Sequence, residues 1–239
     1  MFEREHHRQI ACVLGALNAQ VLAEHGCYFG GGTAMALRYG GYRESGDIDF
    51  LVSRLEGYRA LRQLLTGPLA FQAIARTGAE LRTLREVRAD QYGIRTIVQV
   101  AQSPLKFEIV LEGRMALEAP AVDDVICGIA TLTPLDMATS RLLANSDRWA
   151  NDSVFSRDLI DLAMMQPGNG LLLQAIAKSQ MAYGNSIEVD LAKAIDRLLN
   201  RPGRLERCMQ MMQMTVPKAL LWKRIKALVP RPSKTTAQK

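Results

Sequence analysis

The most constraining feature of the sequence is the run "FGGGTAMALRYGGYRESGDIDFLV", Phe29 to Val52, where a glycine turn leads into a short helical pattern and then into a strand that carries two acids. Successive side chains in a strand point to opposite faces. Asp47 and Asp49 therefore project together, while Ile48 and Phe50 point the other way. Two like charges held side by side repel, and a divalent cation with oxygen ligands relieves that repulsion. The glycines supply the complement: Gly31 and Gly32 let backbone approach a phosphate closely, and the free N–H groups of the following helix face the anion. Thr33 serves as helix cap or phosphate donor. No Gly-Lys-Ser/Thr follows, so the run is not a P-loop, and it does not fit a dinucleotide fingerprint.

A third acid comes later. "KFEIVLE" sets Glu108 between Phe107 and Ile109, and an acid within an apolar strand calls for a functional reason. Glu112, at the strand's end, is the fallback and reads as the more exposed of the two. A glycine pair or an Asp-x-Asp alone is more often a turn or a solvated strand face; the ordered combination with Glu108 reverses that weighting.

Around this run, "EREHHRQIACVLGALNAQVLAEHG" reads as one amphipathic helix closed by Gly26, with His6, His7 and His25 solvated at its polar ends. "CYF" is a short strand, and in the helix after the glycines Ala34, Leu37 and Ala36 face inward. "YRALRQLLTGPLAFQAIARTG" is mostly helical with a break at Gly67-Pro68, and three strands follow, the last ending over residues 106–111. From "TPLDMATSRLLANSDRW" onward the chain is helical, with Thr133 capping and Pro134 in the first turn. The methionines of "CMQMMQMTVP" read as flexible core filling. The predicted fold class is α+β, a mixed sheet flanked by helices and followed by a helical domain. The expected division is residues 1–125, 126–230 and a flexible tail, 231–239.

Of the 239 residues 48% are hydrophobic and 23% charged, as in a folded chain rather than a disordered one. A net charge of +6 permits attraction to polyanions without demonstrating it. No apolar run is long enough to span a membrane. The four cysteines, Cys12, Cys27, Cys127 and Cys208, form no Cys-x-x-Cys pair and read as buried thiols. With no signal-peptide core at the N-terminus, the expectation is a cytoplasmic protein.

The glycine turn, the Asp-x-Asp strand and the later acidic strand resemble the nucleotidyltransferase superfamily pattern. More narrowly, "GGTAMALRYGGYRESGDIDFLV" resembles the AbiEii/AbiGii toxin family of abortive-infection and type IV toxin–antitoxin systems. The resemblance implies that Gly31, Gly32 and Thr33 form the nucleotide-phosphate turn, and that Asp47, Asp49 and Glu108 are the catalytic and Mg²⁺-binding acids, with room for two ions. It also implies nucleotide-binding roles for Arg43 and Ser45 in "YRESGDID". A second, helical signature supplies Asp136, Arg141, Arg148, Arg157, Asp158 and Asp161, which implies nucleotide-binding roles for Arg141 and Arg157 and supporting ones for Asp136, Asp158 and Asp161. Arg141 stands where the family usually has lysine, and the two cations are not geometrically equivalent. From spacing alone, Arg157 and Asp161 also fit an i,i+4 surface pair.

What the resemblance implies is Mg²⁺-dependent transfer of a nucleoside monophosphate from an NTP to an acceptor, with RNA, especially a tRNA 3′ end, among the candidates and a cognate antitoxin as a further partner. A protein side chain or a small molecule stays open as acceptor. The rival reading is a catalytically inactive module of the same fold that binds nucleotide, RNA or protein.

Overall fold

The computed structural model describes residues 2–101 and 103–230. The predicted tail, 231–239, lies outside them. The chain begins with α1 (Glu5–Ala16) and α2 (Ala19–Glu24), then β1 (Cys27–Phe29), α3 (Gly31–Arg38), β2 (Ile48–Val52) and α4 (Leu55–Thr66). A 3-10 turn, Ala70–Ile74, precedes β3 (Arg88–Ala89), β4 (Gly93–Val100) and β5 (Ser103–Leu111), and a two-residue-arm hairpin, β6 (Val125–Ile126) and β7 (Ile129–Ala130), ends the first half. The rest is helical: α5 (Pro134–Arg148), α6 (Arg157–Met165), α7 (Asn169–Tyr183), α8 (Ser186–Asn200), α9 (Arg204–Met211) and α10 (Lys218–Lys226).

The strands form a mixed sheet in the order β1-β2-β5-β4-β3, in which β2 and β5 are parallel and the other pairs antiparallel. One face is apolar because the period-2 pattern sends Ile48, Phe50, Phe107 and Ile109 to the same side. There Phe50 sits 5.5 Å from Phe29 and 5.4 Å from Phe107, and Phe71 meets Phe107 edge-on at 4.7 Å. The helices from α5 onward make a bundle that meets the sheet through α3, which packs on β2, α5 and α6. One continuous apolar cluster runs through both parts. This is the predicted α+β architecture: a mixed sheet flanked by helices, then a helical bundle. Among the described residues no helix is long and apolar enough to cross a membrane.

Some local expectations are corrected. The first helix is two: Leu17 is extended and bridges Ala75, the Asn18 N–H donates to the Ile74 carbonyl, and the Asn18 side chain caps α2 by accepting from Gln20 and Val21. Tertiary pairing overrides a continuous helical periodicity there. His7 is buried, with its ring edge-on to Phe2, not solvated. Cys27 and Cys208 are buried as expected, but Cys12 and Cys127 are exposed. In the methionine run Met212 is buried and Met211 exposed, so core filling holds for only part of it. The inward face of α3 is as read: Ala34, Ala36 and Leu37 are buried. Thr133 caps α5 by accepting from the Asp136 N–H, and Pro134 sits in the first turn.

Candidate active site

β1 runs straight into α3, and Gly31 is the hinge. Its φ of +67° lies in the left-handed region that glycine enters without penalty, and a Cβ there would lie 2.5 Å from Asp49 Oδ2. A Cβ on Gly32 would lie 2.4 Å from the Arg43 guanidinium. Glycine is thus required twice by close approach. The Gly30 N–H donates to the Asp49 carbonyl at 2.8 Å, which fixes the turn against β2. Thr33 Oγ1 and Ser45 Oγ share a hydrogen bond of 2.7 Å, tying the first turn of α3 to the segment that enters the acidic strand.

Asp49 is half-buried and Asp47 exposed at the mouth of a cleft of about 370 Å³, lined also by Gly31, Gly32, Thr33, Ser45 and Glu108. That volume lies in the range of small-molecule sites. Among the described residues neither aspartate side chain takes part in an ion pair or hydrogen bond. Burial pushes the Asp49 carboxyl above its ordinary range, and the Asp47 charge adds to it. Glu108 is Asp49's direct neighbour, since the parallel register of β2 and β5 pairs the two residues. Its carboxylate is taken by Arg95 Nε at 2.6 Å and Lys106 Nζ at 3.0 Å. Burial alone would raise it; the hydrogen bonds from Lys106 and Arg95 overcome that and hold it below the usual carboxylate range.

The cleft is also lined by arginines, Arg43 from the segment between α3 and β2 and Arg141, Arg148 and Arg157 from the helical bundle. Arg43 is buried: its Nε and Nη2 donate to Asp161 at 2.7 and 2.8 Å, Nη2 also to the Gly32 carbonyl at 3.0 Å, and Nη1 to the Glu44 carbonyl at 2.9 Å. Tyr42 Oη donates to the same Asp161 at 2.7 Å. Arg43 therefore braces the glycine turn. Arg141 donates to Asp158 at 3.0 Å and lies 3.6 Å from Asp161, and Arg148 forks onto Asp158 at 2.6 and 2.8 Å. Arg157 lines the cleft and, among the described residues, has no carboxylate partner. Partial burial of its guanidinium, with Arg148 nearby, pulls it below arginine's usual range. The i,i+4 pair of Arg157 with Asp161 does not form, because Asp161 is wholly buried and turned to Arg43.

Asp158 and Asp161 thus stand behind the arginines rather than in the cleft. Asp136 is elsewhere: fully buried at the start of α5, it accepts from Lys178 Nζ at 2.6 Å and from the Glu118 N–H at 2.7 Å. Glu112 is buried, against expectation, because Arg114 binds it through Nη2 at 2.6 Å and Nε at 2.9 Å. Spacing gave no warning of Lys106 or Arg114 in the lining; the signal available for Lys106 was its position two residues before Glu108, on the same face of β5.

The donor set suits a hard divalent cation. Among the described residues no group of three or more His, Cys, Asp or Glu side chains is arranged to hold an ion. Mg²⁺, however, commonly takes one or two carboxylates and completes its shell with waters and substrate phosphates. Asp47 and Asp49, whose side chains have no ion-pair or hydrogen-bond partner among the described residues, are the two carboxylates that could supply that number.

A crystal structure of an H. pylori protein assigned as a nucleotidyltransferase is similar at 17% identity, covering 94% of this chain and 93% of that one, with a TM-score of 0.48. A comparison with curated proteins gave no match. The family model described as nucleotidyl transferase AbiEii toxin, type IV TA system, matches residues 13–231. Since that match takes in the glycine turn, the acidic strands and the arginine-bearing helices together, the chain belongs to the AbiEii nucleotidyl transferase toxin family.

Proposed function

We propose that the chain is a Mg²⁺-dependent nucleotidyltransferase that moves a nucleoside monophosphate from an NTP to an acceptor hydroxyl and releases pyrophosphate. The observation that carries this reading is the pair Asp47 and Asp49, which line one cleft with Arg157 beside the glycine turn and whose side chains, among the described residues, have no ion-pair or hydrogen-bond partner. Asp47 and Asp49 hold the metal, which when bound neutralises phosphate charge and steadies the leaving pyrophosphate. Gly31, Gly32 and Thr33 present the N-terminus of α3 to the phosphates. Arg157 meets the triphosphate as the cation with no carboxylate of its own. Arg141 and Arg43, fixed by Asp158 and Asp161, shape and charge the wall behind it.

In the step itself the acceptor oxygen attacks the α-phosphorus, the bond to the bridging oxygen breaks, and the hydroxyl proton passes to a carboxylate, for which Glu108 is the nearest remaining acid. RNA is the acceptor class the family suggests. The test is incubation of the purified protein with each labelled NTP, Mg²⁺ and total RNA, beside Asp47→Ala/Asp49→Ala. We expect label on RNA with the unaltered protein and a loss of at least about a hundredfold in the variant. Equal labelling by the two proteins removes the metal role of the aspartates. Nucleotide binding without transfer to RNA, protein or small hydroxyl acceptors favours a catalytically inactive binding module.

A further inference from the structure

Glu108 is the acid of the cleft that already has partners, and they are unusual ones. Across the sheet, the register places Asp49, Glu108, Arg95 and Arg88 in one row on one face, and Lys106 lies two residues before Glu108 on the same face. Each Glu108 oxygen takes its own cation: Oε1 from Arg95 and Oε2 from Lys106. The glutamate side chain is 14% exposed, whereas Arg95 and Lys106 are 41% and 51% exposed. Arg95 also reaches Asp90 at 2.9 Å. Lys106 lines the cleft and Arg95 lines a groove with Tyr92, and the two hollows share Val110, Glu112 and Arg114, so each cation faces one of two adjoining openings.

We propose that Arg95 and Lys106 form an anion subsite, filled by Glu108 until a substrate phosphate takes its place and releases Glu108 toward Asp47 and Asp49. This rests on the nucleotidyl-transfer reading above. With both cations largely in solvent, each pair is screened from the cation's side, which weakens it against a competing anion. A phosphate offers the arginine a bidentate partner and the lysine a second charge, which makes it a stronger competitor than one carboxylate. Because Glu108 and Asp49 are register partners on neighbouring strands, the released side chain needs only χ rotations to face the aspartates. The acid set is then complete only when substrate is aboard. The phosphate has two sources, the triphosphate tail or a phosphodiester of a nucleic-acid acceptor.

The test is Mn²⁺ binding to the full chain, followed by electron paramagnetic resonance, for the unaltered protein, Arg95→Gln/Lys106→Gln, and the same pair with Glu108→Gln added. Freeing Glu108 should tighten Mn²⁺ by about tenfold, in line with the effect of groups that orient metal ligands. Adding Glu108→Gln should cancel the gain. No tightening, or a gain that survives Glu108→Gln as a mere effect of lost positive charge, overturns the proposal. The second arm follows the Arg95 Nε–H signal by nuclear magnetic resonance without metal, against inorganic tripolyphosphate and against a short single-stranded oligonucleotide. A shift with one of them identifies the source, and a shift with neither overturns the subsite. If nucleotide transfer is absent but the Mn²⁺ result holds, the activity falls and the subsite stands; transfer without the Mn²⁺ result removes the subsite alone.

Discussion

Two pairs of aspartates at the cleft, one on its helical side and one on its sheet side, carry the same carboxylate chemistry in opposite states. On the helical side Asp161 is wholly buried and receives Tyr42, two nitrogens of Arg43 and, at longer range, Arg141, while Asp158 receives Arg141 and Arg148. On the sheet side Asp47 and Asp49 have no such partner among the described residues, and Asp49's carboxyl is pushed up by burial and by its neighbour. A buried carboxylate with a full set of donors holds structure in place and leaves little to give a ligand. A pair with no donor of its own does the reverse: its repulsion, offset only in part by the Lys106 and Arg141 charges, persists in the folded protein until a cation arrives. The difference separates residues that build the site from residues that act in it.

The contrast is tested most severely at Asp161. Asp161→Ala leaves the Arg43 guanidinium, whose side chain is 6% exposed, buried without its charge partner. It also strands the Tyr42 hydroxyl. Breaking a buried pair from one side costs about 3–5 kcal/mol, and that loss should appear in urea unfolding. A loss under about 1 kcal/mol would mean that Arg43 finds water on its own, and the helical side would no longer count as structural. Because Arg43 also holds the Gly32 carbonyl, the same variant should loosen the glycine turn, read as faster amide exchange at Gly32 and Thr33.

How far the sequence announced this arrangement follows from the range of each interaction. Period-2 alternation is local, so the shared face of Asp47 and Asp49 was legible, as was Glu108 on an apolar strand. The glycine requirement at Gly31 was legible as well, although not its cause, the 2.5 Å approach of the Asp49 carboxylate. The bundle's α5 start was announced by Thr133 and Pro134. Partner choice is not local. Arg43 and Asp161 lie 118 residues apart, and spacing within α6 pointed to the wrong arginine for Asp161. The break at Leu17 is set by Ala75 and Ile74, far along the chain, and so the helical periodicity ran past it. Likewise Lys106 was in view, but its pairing with Glu108 depends on side-chain geometry that alternation does not specify.

A smaller effect is expected at Asp158. Arg148 is 32% exposed and can be solvated when its partner is lost, and the buried Arg141 keeps Asp161 at 3.6 Å, so Asp158→Asn should cost about 1.5–3 kcal/mol, the range for a hydrogen bond to a charged group. The pH dependence sharpens the point. Burial alone would raise the Asp158 carboxyl, but the Arg148 hydrogen bonds and the Arg141 charge hold it below the ordinary aspartate range. With the folded value depressed, its stabilisation is present above the ordinary aspartate value and is lost as pH falls through the folded one. Urea midpoints taken from pH 6 downward should therefore converge for the two proteins under strongly acidic conditions. Parallel curves would mean that Asp158 is not the group being titrated.

The smallest change, and the one of opposite sign, belongs to Asp49→Asn. With its folded carboxyl raised, Asp49 favours folding only when protonated, and that contribution is lost as pH rises from the unfolded value through the folded one. At neutral pH the unaltered protein carries the repulsion between Asp47 and Asp49, and the amide variant does not. Asp49→Asn should thus match or exceed it in stability, by no more than about 0.5 kcal/mol, the usual size for a change away from the core. Thermal melts at pH 7.5 should place the variant level or slightly above, and acidification toward the carboxylate range should close the gap. A variant that melts clearly lower at neutral pH would reveal a stabilising partner for Asp49. The two walls of the cleft would then differ in degree of burial and no longer in kind.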